Sequence, residues 1–244
     1  MRALAVGAAA LVAALALPPA TSAGGGITVF AAASLTGVFP KIAPVPRYSF
    51  AGSDQLAFQI RQGAPVDVYA AASPKYPELL YRDGLVRKPA VFATNRLVIV
   101  VPRSNPARIG SVYDLRRSGV KLVVGDPAVP IGSYTRQILD RLGITSDVLK
   151  NVVSQETDVK GIVAKVALGE ADAGFVYVTD AKAVATKTKT IELPAWAQPP
   201  VRYEIAVVSS TKRAKAARAF VARVLSKRGR ALLAAAGFGL PKRR

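Results

Sequence analysis

The residues of this chain whose types and spacing suit chemistry fall at four points where a strand-like run gives way to a helix-like one. ITVFAAASLTG reaches Ser34 and YSFAGSDQLAFQIRQG reaches Ser53. VPIGSYTRQILDRLG opens a helix at Gly132–Ser133, and TDVKGIVAKVALGE opens one at Asp158–Val159. A helix start leaves backbone N–H groups without acceptors and carries partial positive charge, so it suits an anion. Taken singly, each junction is an ordinary N-cap. Four that converge make an anion site with no Lys or Arg in it.

Other chemistries are narrowed by what is missing. The sequence contains no Cys and no His. That removes disulfides, thiol nucleophiles, the commonest metal ligand and the commonest general base, and with them most triad hydrolases and zinc enzymes. Asp126 precedes Pro127 in a GDP triplet and reads as a turn residue, while Asp158 fits an N-cap. Glu156, Asp158 and Glu170 are the nearest thing to an acid/base set; at a helix entry and exit they read as solvated polar positions.

The elements that must position the junctions alternate along the chain. ITVFAA, YSFAG, VDVYAAA, RLVIVVP, KLVVGDP, AGFVYV and VRYEIAVV read as short, mostly buried strands. LAFQIRQG, SYTRQILDRLG, VKGIVAKVALGE and AKAARAFVARVLSKRGRALLAAAG read as amphipathic helices, several closed by Gly. The alternation predicts an α/β fold with largely parallel sheets, whose ligands sit beyond the carboxyl ends of strands, where Ser34 and Ser53 fall.

Residues 1–23 read as a signal peptide: Arg2, an apolar run, then PPATSA with a cut expected after Ala23. A periplasmic or secreted protein follows. The net charge is +19. Lys182, Lys187 and Lys189, the Lys212–Arg218 cluster and the Lys242–Arg244 tail carry much of it without aromatic interleaving. They read as solvated faces, and no nucleic-acid partner is expected.

Four blocks occur in order: AAASLT, FAGSDQLAFQIRQGAPVDVYAAAS, GDPAVPIGSY and TDVKGIVAKVALGEADAGFVYVTDA, followed by a closing GFGLP. In this combination the mature chain resembles the periplasmic molybdate-binding proteins of ABC transporters, the ModA family. The resemblance implies a two-lobed, type II venus-flytrap binding protein with two chain crossovers between lobes, near Asn95–Val98 and Tyr203–Ala206. The implied lobes are 24–96 with 204–244, and 97–203. The family's oxyanion contacts fall on Ser34 and Ser53 through hydroxyl and N–H groups, on the backbone N–H of Ile131 and Val159, and on the Tyr177 hydroxyl.

Three departures stand out. The Ser34–Ser53 segment is short and carries Pro40, Pro44 and Pro46, which predicts a truncated first helix. Ile131 stands where the family favours a small residue. Asp54, where an uncharged residue is usual, is expected to point to solvent.

The resemblance implies capture of molybdate, and of tungstate, for delivery to a membrane permease. Catalysis and a resident cofactor are not expected, nor any metal except molybdenum within molybdate held by the same residues. The expected state is a monomer. A sulfate or other tetrahedral oxyanion binder is the alternative within the class, and a secreted basic polyanion-binding protein the alternative outside it. A molybdate-sensing transcription factor is disfavoured by the signal segment and by the lack of a preceding helix-turn-helix.

Overall fold

A computed structural model describes residues 26–241, so the signal segment and its cut lie outside the described residues. In chain order the elements begin with β1 (Thr28–Ala32), α1 (Phe39–Ile42), β2 (Arg47–Ala51), α2 (Ser53–Arg61), β3 (Val68–Ala71), α3 (Lys75–Arg82) and β4 (Ala90–Asn95). There follow β5 (Leu97–Pro102), β6 (Leu122–Gly125), α4 (Pro130–Leu142), α5 (Thr145–Leu149), β7 (Val152–Glu156), α6 (Val159–Ala167), β8 (Ala173–Tyr177) and α7 (Val178–Ala183). The chain closes with β9 (Thr188–Ile191), β10 (Val201–Val207), α8 (Ala214–Leu225) and α9 (Lys227–Ala235).

The strands form two five-stranded sheets, ordered β2-β1-β3-β10-β4 and β7-β6-β8-β5-β9. Each is mixed rather than largely parallel. In the first, β1 pairs parallel with β2 and β3, whereas β10 runs antiparallel to β3 and β4. In the second, β6 pairs parallel with β7 and β8, whereas β5 runs antiparallel to β8 and β9. The strands that enter each sheet straight from the other one, β5 and β10, supply every antiparallel pairing between these strands.

The strands read as buried are so because their side chains are apolar on both faces: β3, β6 and β8 are buried along their whole length. α1 is a single turn of four residues, Phe39–Ile42, as the prolines predict. Pro40 sits in its first turn, where a missing N–H costs nothing, and the Pro44–Pro46 stretch prevents its extension. Phe39 compensates by packing against the rings of Phe92 and Phe220, each 5.7 Å away. The C-terminal helical stretch is two helices, not one. Ser226 ends α8, where its hydroxyl donates to the Arg223 carbonyl (2.7 Å), and caps α9 by accepting from Gly229 N–H (3.1 Å).

The chain changes sheet twice. The first passage is the single residue Arg96, inside the expected span. The second occupies residues 192–200, ahead of the expected 203–206, because Tyr203–Ala206 already pair with β3 and β4. Gln198 ties the two passages together: its Oε1 accepts from Leu97 N–H (3.0 Å) and its Nε2 donates to the Leu97 carbonyl (2.7 Å).

Candidate anion-binding site

All four junctions meet between the sheets. Ser34 lies in a single 3-10 turn (Ala33–Leu35) directly after β1, and Ser53 is the first residue of α2 after β2. From the other sheet come Ile131 in the first turn of α4, Val159 as the first residue of α6, and Tyr177 at the end of β8. α4 opens at Pro130, earlier than the Gly132–Ser133 expected, because proline presets the helical φ and needs no N–H partner at the first position. Gly132 is required for a different reason. A Cβ there would stand 2.0 Å from the Asp126 carbonyl and 2.3 Å from that of Gly125.

Ser34, Ser53, Ile131, Val159 and Tyr177 together line one small cavity of about 20 Å³, with Ala, Gly, Val129, Pro130 and Asp158 completing its walls. Pockets for drug-sized molecules run about 300–1,000 Å³, so this one suits a small ligand. Its walls contain no Lys and no Arg. As first-turn residues, Ser53, Ile131 and Val159 offer N–H groups that have no intrahelical acceptor.

The side-chain donors are held in place from behind. Ser53 Oγ accepts from Ala72 N–H (3.1 Å), which leaves its own proton to donate, and the Ser53 carbonyl accepts from the Tyr69 hydroxyl (2.6 Å). Ser34 Oγ lies 2.9 Å from the Tyr203 hydroxyl. Tyr177 is 1% exposed and its hydroxyl has no partner. A buried donor left in that state costs about 1–3 kcal/mol unless something fills the role. Burial, then the neighbouring Tyr203 and Tyr134 hydroxyls and Asp180, pushes the Tyr177 phenol well above its ordinary value. It is therefore a neutral donor across the physiological range.

Asp158 is an N-cap, as read from the sequence: its Oδ1 accepts from Lys160 N–H (2.7 Å) and Gly161 N–H (3.2 Å). Glu156 departs from the solvated position expected. It is ion-paired to Lys165 at 2.6 Å and accepts from Ser154, and these contacts hold its carboxyl low despite partial burial. Among the described residues no group of three His, Cys, Asp or Glu side chains is placed to hold a metal ion.

Two features were not read from the sequence. Tyr203, named from the sequence only at an expected lobe crossing, stands behind the site with its ring edge-on to Tyr177 at 5.8 Å. Its strand neighbour pattern carries no signal for this; the link exists only because β10 returns to the first sheet. The second is Asp54, which does not point to solvent. Its Oδ1 is buried without a partner, and both it and the Thr157 carbonyl lie within 2.6 Å of where a Cβ on Gly52 would stand. Burial raises its pKa, with Asp126 adding to the effect against the local N–H groups and Lys75. The turn of α2 that brings Ser53 into the cavity also turns Asp54 toward the opposite sheet. Gly52 and Tyr76, whose hydroxyl donates to the Ala128 carbonyl (2.6 Å), are two of the points where the lobes touch.

Comparisons with known proteins give the family. The family model for bacterial extracellular solute-binding proteins matches residues 27–239. The chain belongs to that family. Within it the chain is a member of the ModA group. It is 42% identical over 225 residues to the molybdate-binding protein ModA of Mycobacterium tuberculosis, covering 88% of this chain and 85% of that one. Against ModA of Escherichia coli the identity is 34%, over 78% of this chain and 80% of that one. The solved periplasmic molybdate-binding protein of Azotobacter vinelandii has the same fold, with a TM-score of 0.77, 24% identity and coverage of 88% and 100%. This ModA-family chain is thus an α/β, two-lobed type II binding protein, and its cavity lies where the lobes meet.

Proposed function

We propose that this ModA-family protein captures molybdate, and tungstate, outside the cytoplasmic membrane and hands it to the permease of an ABC importer. The named ModA relatives support the ligand class. One structural observation carries the reading: the Tyr177 hydroxyl, buried and unpartnered, faces a small cavity whose other donors sit on Ser34, Ser53, Ile131 and Val159. A tetrahedral dianion presents four oxygens, each able to accept from more than one of these donors. Fixed N–H and O–H dipoles replace its hydration shell, and the helix starts orient them before it arrives. The event is binding and lobe closure, with no reaction on the ligand. The protein acts as a monomer after loss of residues 1–23, and among its described residues no helix is long and apolar enough to cross a membrane.

The same donors act as a size gauge. The larger oxyanions reach all of them, whereas sulfate leaves some buried donors unpaired at about 1–3 kcal/mol each. A thermal-shift panel of molybdate, tungstate, sulfate, phosphate and chromate tests this. At about a thousand times its dissociation constant a ligand adds roughly 4 kcal/mol of stability. Molybdate and tungstate should raise the melting temperature alike and at lower concentration than the rest. A panel without any shift refutes the reading.

A further inference from the structure

The charge of this protein is not spread evenly. From residue 205 to the C-terminus there are 11 Lys and Arg residues and no Asp or Glu. Most of these cations lie on α8 and α9, where Lys215, Arg218, Arg223, Lys227 and Arg228 are exposed. Among the described residues none of these five, nor Lys41 beside them, is in an ion pair. Arg213, at the start of this stretch, is paired with Asp67 at 3.6 Å.

Two cavities open on this face and share a wall at Ala219 and Arg223. One is basic, bounded by Lys41, Arg223 and Arg228 where α9 begins. The other is an apolar groove bounded by Val45, Ala216 and Phe220. Val45 at its lip is 78% exposed, although it is a large aliphatic side chain on a proline-fixed loop. Helical spacing explains the juxtaposition. Ala216, Ala219 and Arg223 fall on one stripe of α8, flanked on one side by Lys215 and Arg218 and on the other by the buried Ala217, Phe220 and Val224.

We propose that the α8–α9 face, with Lys41 and Val45, docks on a bilayer surface of anionic phospholipid. The basic cavity takes the headgroup phosphate and the apolar groove meets the acyl boundary. A nucleic acid or a soluble polyanion offers charge to the first cavity and nothing to the second, whereas a lipid surface offers both. The face is separate from the anion-binding cavity, with which it shares no wall residue. Docking there keeps the binding protein near the membrane and leaves the cleft free.

Co-sedimentation of the chain from residue 24 onward with phosphatidylcholine vesicles, with and without phosphatidylglycerol, tests the proposal at about 0.1 M salt. Each cation near an anionic surface contributes about five-fold to partitioning. The triple variant Lys41→Gln, Arg223→Gln, Arg228→Gln should therefore lose about a hundred-fold. The same charge change at Lys121, Lys187 and Lys189, which are exposed on the other lobe, should cost far less, and Val45→Asp should weaken binding on its own. Melting curves of the variants separate lost docking from lost fold. Equal binding to neutral vesicles, equal losses in the two triple variants, an unaffected Val45→Asp, or equally tight duplex DNA binding through the same residues overturns the proposal.

Discussion

Ser34 Oγ and Tyr203 Oη are 2.9 Å apart and both are buried, so one hydroxyl must donate to the other. If Tyr203 donates, the Ser34 proton is committed to the cavity, and an anion there fixes that choice. Ser34→Ala should weaken oxyanion binding by about 1.5–3 kcal/mol, the range for a hydrogen bond to a charged group. Tyr203→Phe keeps the ring contacts with Phe92, Tyr177 and Phe238 and should cost about 1 kcal/mol. In the Ser34→Ala background it should cost nothing more, because its influence passes through Ser34. Calorimetry on the four proteins of this cycle measures the coupling. Additive losses would mean that Tyr203 serves only the core. The five residues named from the sequence line one cavity; Ser34, Ser53 and Val159 were legible as helix-start positions, whereas Ile131 and Tyr177 were named only through the family resemblance. Tyr203 and the inward turn of Asp54 were not legible, since each depends on a strand or lobe distant in sequence.

At the level of elements, the closeness of the lobes depends on a residue without a side chain. A Cβ on Gly52 would lie 2.4 Å from the Thr157 carbonyl across the cleft, and that carbonyl is backbone just ahead of α6. Gly52→Ala should therefore hold the lobes apart and weaken oxyanion binding at least ten-fold, while the unliganded melting temperature changes little. Small-angle scattering with saturating ligand would show the variant failing to contract; normal closure and affinity would remove Gly52 from the account. The same level shows which elements the sequence conceals. β4, β7 and β9 were not read as strands, and all three lie at sheet edges. An edge strand is covered on fewer sides, so it needs no continuous apolar run: β7 alternates in exposure, and β9 reads TKTI. Central strands such as LVIVV in β5 are buried throughout and announce themselves. The mixed pairing was hidden for a related reason, since apolar runs do not reveal direction.

At the scale of the whole molecule, two lobes share a seam that contains buried acids. Glu204 lies on β10 with one carboxylate oxygen unpartnered, and burial, then Glu78, raises its pKa to about 6 against the pull of Arg202. Its value in the folded protein is thus above that in the unfolded chain. The stability it contributes is fully present below the unfolded value and is lost as pH rises through about 6. Between about pH 4.5 and 7 this group alone should cost the folded state about 1–2 kcal/mol. Denaturant melts across that range should fall more steeply for the natural protein than for Glu204→Gln. Parallel profiles would show that Glu204 is solvated in both states.

The claim on which the rest depends is that the cavity between the lobes holds molybdate. Titration calorimetry of the chain from residue 24 onward, with molybdate followed by sulfate displacement, addresses it most directly. The account predicts one saturable site for molybdate, loss of affinity in Tyr177→Phe without loss of fold, and sulfate weaker by at least a factor of about five for each donor left unpaired. Absence of molybdate binding, or sulfate binding as tightly as molybdate in the same cavity, would contradict it.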